Sequence, residues 1–291
     1  MNTTGIFKTH YATIPFKKFG EPIYLIPFGD VHRSSPMCHE EKWKEFLDWA
    51  KSKPRAYFLG LGDYDDLAST TERSILLDRK LHESTKITLE DQYKRFTLRL
   101  AKELEFMRGR LIGLIEGNHY GEFQNGTTTT QLLADKLGTA YLGVSCFVRL
   151  FLILKNEDVL SHRGLTVDIW AHHGKGAARL VGGSLNRVSQ MEESAEADIY
   201  LMGHDHKKSA ATKTRLKLVG NGPDVMRLSH RKVLICRTGS FLKGYEEGKA
   251  SYIVDGAMNP TDLGVVKIEI TPRRERKGST DQIEVDLHAS I

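Results

Sequence analysis

Cysteine is scarce in this chain. The three residues present, Cys38, Cys146 and Cys236, are scattered and odd in number, which argues against a disulfide framework and for a reducing compartment such as the cytoplasm. Cys146 and Cys236 lie in apolar runs and read as core thiols. No CxxC pair occurs, so a thiolate zinc site is not expected. Long apolar runs are missing too. No stretch approaches the ~18 residues of a bilayer span. Met1 to Gly20 lacks a continuous apolar segment, so neither a signal peptide nor a membrane contact is expected. There is no low-complexity tract and no internal repeat.

What is present fits one large globular unit. The chain has 291 residues, of which 40% are hydrophobic and 27% charged, enough to bury a sizeable core. The expectation is a single domain over 1–291, with a core at about 20–250 and C-terminal hairpins at 251–291. The net charge of +5 is unevenly placed. From Asp205 to Lys249 there are eleven lysines and arginines against four acids. Such a segment suits a polyanionic partner, or else forms the solvated faces of hairpins.

Apolar runs at Ile23–Phe28, Ala56–Leu61, Leu111–Ile115, Val167–Trp170 and Ile199–Met202 read as buried strands. Between them, His39 to Lys51 carries Trp43, Phe46, Leu47 and Ala50 at helical spacing. Residues 72–109 read as an inserted helical pair overhanging the strand ends. Gln131–Leu137 reads as a short helix. Phe147–Leu154 and Leu165–Trp170 suit a second sheet. Gly182-Gly183-Ser184 is read as a break followed by a helix to about Ala195. Beyond it, Lys213–Val219 and Lys232–Arg237 alternate as in antiparallel hairpins. Periodicity alone gives a mixed α/β chain.

Each buried strand is followed by a polar cluster. These are Asp30-Val31-His32, Gly62-Asp63-Tyr64-Asp65-Asp66, Gly117-Asn118-His119, Ala171-His172-His173-Gly174 and Gly203-His204-Asp205-His206. Carboxylates, an amide and imidazoles are oxygen and nitrogen ligands for divalent metals. Asp30 and His32 are two residues apart, a spacing that in extended backbone points both side chains one way. His204 and His206 repeat it. One such pair would mean little; five ordered clusters, each behind a strand, describe a metal-dependent hydrolase site.

The five blocks together resemble the calcineurin-like metallophosphoesterase superfamily, whose pattern is D-x-H, GDxx(D/N), GNH(D/E), a His before Gly or Pro, and GHxH. The resemblance runs from Asp30 to His206. It implies a four-layer α/β/β/α sandwich of two mixed sheets, here with a helical insertion around 72–109, and two divalent metal ions. Manganese is the first choice, with iron, zinc or nickel also compatible. Asp63 would bridge both ions. Asp30, His32 and His206 would complete one site, and Asn118, His204 and a histidine of the fourth block the other. The ligand there stands first after the strand, which favours His172 and leaves His173 for the substrate. His119 resembles the general acid and Asp66 the carboxylate that orients it. Tyr120 departs from the usual acid after GNH. Asp65 matches no role and reads as a solvated loop carboxylate.

The resemblance implies a phosphoesterase. The leading substrate is a phosphodiester in DNA, RNA or a nucleotide. A phosphomonoesterase is the alternative, and a non-catalytic scaffold a third reading. Leu67 stands where phosphoprotein phosphatases carry an arginine, which counts against a phosphoprotein substrate. Arg33, Lys175, Arg179 and Lys207 lie near the blocks, and of these Arg33 is taken as a phosphate contact.

Overall fold

The computed structural model describes residues 6–78, 81–155, 164–176, 178, 180–220, 222, 226–248, 254, 259–277 and 280–291. In chain order its elements are β1 (Lys8–Phe16), β2 (Ile23–Phe28), α1 (Glu40–Lys51), β3 (Ala56–Gly60), α2 (Thr70–Asp78) and α3 (Glu83–Leu104). There follow β4 (Leu111–Leu114), α4 (Thr129–Leu137), β5 (Ala140–Tyr141), β6 (Ser145–Leu154), β7 (Leu165–His172) and α5 (Val181–Met191). The chain ends with β8 (Ile199–Met202), β9 (Ser209–Val219), β10 (Arg227–Arg237), β11 (Lys267–Lys277) and β12 (Thr280–Ser290).

The strands form two six-stranded sheets, ordered β12-β11-β2-β3-β4-β5 and β1-β6-β7-β8-β10-β9. Both are mixed. β2, β3 and β4 are mutually parallel while β11 runs antiparallel to β2. β7, β8 and β10 are parallel while β6 opposes β7.

Strand periodicity builds the layers. Leu25, Leu59, Ile169, Ala171, Leu201 and Ile268 meet in one core between the sheets. The alternate residues Ile26, Phe28 and Phe58 face outward, yet remain buried under Trp43 and Ala50 of α1, Leu100 of α3 and Leu133 of α4. On the other sheet, Trp170, Tyr200 and Val233 are covered by Val188 and Met191 of α5. Helices on both outer faces explain why the central strands read as continuous apolar runs rather than as alternation. Each large side chain so buried is worth roughly 1.5–3 kcal/mol. That burial, more than intrinsic propensity, holds α1 in place.

The insertion is helical, as its spacing predicts. Ser69 and Glu72 start α2 with reciprocal bonds: Ser69 N donates to Glu72 Oε2 at 2.7 Å and Glu72 N to Ser69 Oγ at 3.3 Å. This is a capping box. Two boundaries differ from expectation. α5 begins before Gly182-Gly183, and its first turn accommodates the glycines, with Ser184 fully buried. The core also reaches beyond 20–250. β1 joins the second sheet, and Ile268, Ile270 and Leu287 of the β11–β12 hairpin enter the inter-sheet core. Ladder bonds to β2 make this terminal hairpin part of the sandwich. Among the described residues no helix is long and apolar enough to cross a membrane.

Candidate metal centre

β2, β3 and β4 of one sheet and β7 and β8 of the other deliver all five polar clusters to one edge of the sandwich. Main-chain bonds fuse the loops. Asp30 N donates to Gly62 O at 2.9 Å, Val31 N to Asp63 O at 2.8 Å, and Gly203 N to His173 O at 2.9 Å. The packing leaves no room for side chains at two glycines. A Cβ on Gly117 would stand 2.0 Å from Asp63 Oδ1, and one on Gly62, at φ +100°, would stand 2.6 Å from His173 Nδ1.

The backbone here is strained. Among the described residues the non-glycine positions with left-handed φ are Asp30 (49°), His32 (47°), Asp63 (50°), His204 (71°) and His206 (56°). All five belong to the expected ligand set. Such a conformation costs about 1–3 kcal/mol per residue and persists only where the surroundings enforce it. Left-handed backbone gathered on residues of the expected ligand set points to a functional constraint.

Among the described residues three groups of ligand-type atoms result. Asp30, His32 and His206 form the first, Asp63, His173 and His204 the second, and His32, Asp66 and His119 a third that shares His32 with the first. Asp30 Oδ1 lies 3.6 Å from His206 Nε2, and Asp30 Oδ2 accepts from His204 N at 2.8 Å. Asp63 stands between the first two groups. Its Oδ1 accepts from Asn118 N at 2.7 Å and His119 N at 2.8 Å. Its Oδ2 is 3.2 Å from His173 Nε2 and 3.9 Å from His32 Nε2.

The donor atoms are the right kind for a cation. Asp30 Oδ1 and both ring nitrogens of His32 are buried without a hydrogen-bond partner. His173 Nδ1 is 2.7 Å from Leu61 O, so it is the nitrogen that carries the ring proton in the neutral imidazole. Its Nε2 then turns a lone pair toward Asn118 Oδ1 at 2.9 Å, His204 Nδ1 at 3.2 Å and the Asp63 carboxylate. Electron-rich atoms converging in a buried space require positive charge between them. The side chains alone can supply it only by trapping a proton. Burial would lower His173, but the Asp63 and Asp30 carboxylates overcome it and lift the imidazole to about 9. Burial and then His173 push His204 down to about 4. Burial would raise Asp63, but His173, His32 and His119 hold it far below the carboxylate range.

One ligand assignment is corrected. His173, not His172, lies in the second group. In β7, Val167, Ile169 and Ala171 point between the sheets while Trp170 points toward α5. Two-residue periodicity continues this pattern, so His173 enters the space between the sheets beside Asp63. His172 shares the Trp170 face, and its Nδ1 accepts from Gly174 N at 2.7 Å. His173 is accordingly not the substrate contact that the sequence suggests.

In the third group, His119 Nδ1 is 2.9 Å from Asp66 Oδ1. The same oxygen is 3.4 Å from His32 Nδ1, too poorly directed for a hydrogen bond. Burial would raise the Asp66 carboxyl, but His119 and His32 hold it well below its usual range. Asp65 is not solvated. It is 5% exposed, and burial raises its carboxyl to about 6.

Arg33, the expected phosphate contact, is paired within the chain. Arg33 is spent on Glu103, with Nε 2.9 Å from Oε2 and Nη2 3.0 Å from Oε1, and on Glu40. Glu103 belongs to the insertion, and no local pattern announces that pairing. Lys207 pairs with Asp205 at 2.8 Å. Lys175 is exposed, and Arg179 lies outside the described residues.

The β9–β10 hairpin of the basic segment runs away from the site. β10 parallels β8, so its Arg237 end is at the site edge and its Arg227 end is at the opposite edge. Arg215, Arg231 and Lys232 are paired with Glu192, Asp198 and Asp286 at 2.7, 2.6 and 2.7 Å. Arg237 is fully buried.

No family model and no curated protein matches the chain. Two solved structures give low-scoring likenesses. Vacuolar Protein Sorting 29 from Cryptosporidium parvum is 10% identical, with 94% of this chain and 100% of that one covered, at a TM-score of 0.35. A conserved predicted phosphoesterase from Streptococcus pneumoniae is 12% identical, with 91% and 99% covered, at a TM-score of 0.31. The functional reading therefore rests on the chain's own residues.

Proposed function

We propose that the chain is a two-metal phosphoesterase of the calcineurin-like metallophosphoesterase superfamily, acting on phosphodiesters. The observation that carries this reading is the pair of carboxylate–imidazole groups meeting at Asp63, with a separate histidine, His119, beside them. Asp30, His32, His206 and Asp63 would hold one divalent cation. Asp63, Asn118, His173 and His204 would hold the other. Manganese suits this donor set, as do iron, zinc and nickel. When bound, such cations bring the pKa of water toward neutrality and neutralise phosphoryl oxygens.

The chain's own residues account for the departing group. Asp66 holds His119 with Nδ1 protonated, which leaves Nε2 to face the substrate. A proton on Nε2 passes to the leaving oxygen as the P–O bond breaks. Two main-chain bonds to Asp63 Oδ1 fix where that histidine stands.

The charge balance favours a diester over a monoester. A monoester brings an extra negative charge, and the cations directly following the first and last blocks are committed elsewhere: Arg33 to Glu103 and Lys207 to Asp205. With the basic hairpin directed away, a nucleotide-sized diester suits the site better than long DNA or RNA. The deciding experiment compares bis-p-nitrophenyl phosphate, p-nitrophenyl phosphate, a dinucleotide and long DNA, with chelator and after manganese is restored. Chelator-sensitive turnover of the diesters supports the proposal. Turnover of the monoester alone would replace it with the phosphatase reading. No turnover by the metal-loaded protein would leave the scaffold reading.

A further inference from the structure

The segment that carries His119 is gripped on two sides, and only one grip belongs to the ligand blocks. On the inner side, Asp63 Oδ1 accepts from Asn118 N and His119 N. On the other side stands Arg73, in the first turn of the inserted helix α2. Its Nη1 is 2.8 Å from Asn118 O and 3.0 Å from Tyr120 O, the carbonyls flanking His119. A third carbonyl, Ala68 O, lies 2.5 Å from the same nitrogen. The guanidinium carbon lies 3.6 Å from the centroid of the Tyr120 ring. This is a cation–π contact.

Arg73 is itself anchored. Its backbone N donates to Ser69 O at 2.9 Å, inside the turn fixed by the Ser69–Glu72 box. It thus carries the rigidity of α2 to the loop. Aligned carbonyls are weak acceptors singly, but a charged donor shared among them is held more strongly than a neutral one. Tyr120 also gains a role. It offers a flat ring for the guanidinium to lie over.

We infer that Arg73 is a positioning residue for the proposed reaction: it fixes the backbone on both sides of His119 so that the imidazole meets the leaving oxygen. The inference rests on the reading of His119 as the group that protonates that oxygen. Arg73 reaches the loop through main-chain carbonyls and the Tyr120 ring, so its loss acts through geometry. A displacement near 1 Å can cost about 100-fold in rate.

The test uses the full chain with Arg73→Met, which keeps much of the stem, and Arg73→Lys, which restores a cation without the planar fork. Metal content, melting temperature, and kcat and KM would be measured on two diesters, one leaving as p-nitrophenolate and one as an alkoxide. Arg73→Met should lower kcat on the alkoxide substrate about 10- to 100-fold. The loss should be smaller on p-nitrophenolate, with KM and metal content unchanged, and Arg73→Lys should recover part of it. Amide hydrogen exchange of residues 118–121 should quicken in Arg73→Met, a readout independent of turnover. Slow exchange and wild-type kcat in a folded Arg73→Met would overturn the inference. So would equal losses on both substrates. If Arg73→Met does not fold, Arg73→Lys carries the same comparisons. Should wild type show no leaving-group preference while exchange still quickens, the reading of His119 fails and the positioning of its loop stands.

Discussion

Asp66 Oδ1 lies 2.9 Å from His119 Nδ1, on a histidine that shares no direct contact with the Asp63 carboxylate except through its backbone. A group held this way can move a proton without holding a metal. His119→Ala should therefore retain metal and lose about 10²–10⁴-fold in turnover, the range for a positioned acid. The deficit should shrink as the leaving group improves. Equal deficits for alkoxide and p-nitrophenolate, measured by initial rates, would contradict the acid role. Asp66→Asn should show the same pattern in milder form, because the amide still reaches Nδ1 but carries no charge.

Asp63 serves both groups and two main-chain donors at once. Asp63→Asn keeps the shape but removes the charge shared between the groups. Metal analysis should show occupancy falling from about two ions per chain to about one or none, with turnover lost in parallel. A variant that keeps both ions and full turnover would disprove the shared-ligand assignment.

His173 and His172 separate by the same measurement. His173→Ala should weaken metal binding by at least about 100-fold, while His172→Ala should leave stoichiometry unchanged. The two histidines also show how far the sequence can be read. The strand runs, the insertion and the loop blocks were legible because each is local: an apolar run, a helical spacing, a D-x-H. The choice between neighbours was legible too, since the alternation of Val167, Ile169 and Ala171 in β7 continues to His173 and skips His172. Motif position overrode that signal. Arg33 is different. Its partner, Glu103, comes from a helix 70 positions later, and nothing near Arg33 reveals it. Arg73 is hidden for the same reason, because its value lies in carbonyls of residues 118 and 120. Asp65 read as solvated because loops are usually exposed, and only the packing of α3 above it says otherwise.

The cysteines give a pH test away from the site. Burial raises Cys38 to about 11 and Cys146 and Cys236 to about 12. At pH 8 roughly one Cys38 in a thousand is then a thiolate, and fewer of the others, and the thiolate is the reactive form. Native protein should be nearly silent to a disulfide reagent at pH 8 and should release three thiols in guanidinium. The sign for stability follows. The folded state holds these protons more tightly than the unfolded one. Their contribution is complete below the ordinary thiol value near 9 and is lost as pH rises through 11 to 12. The melting temperature should fall across that window. A fast native reaction at pH 8 would show that the thiols are not buried as described.

A protein that neutralises several phosphates with lysine and arginine releases counterions, and its binding weakens steeply as salt rises. Here the positive charge of the Asp205–Lys249 segment is largely spent internally. Arg215 and Lys213 share Glu192, at 2.7 and 3.2 Å, and Arg231 holds Asp198 at 2.6 Å. The exposed cations Lys217 and Arg227 sit at the end of the β9–β10 hairpin remote from Asp63, because β10 enters the site edge only at Arg237. Changing Lys217 and Arg227 together to Gln should therefore leave kcat and KM unchanged for a dinucleotide. KM in the wild type should shift less than about threefold between 50 and 200 mM salt, against the thousandfold or more expected for a protein making six to ten phosphate contacts. If instead KM climbs steeply with salt and the double variant flattens the slope, a long polyanion reaches from the metal centre to the hairpin tip. The nucleotide-sized substrate would then have to give way to a polymer.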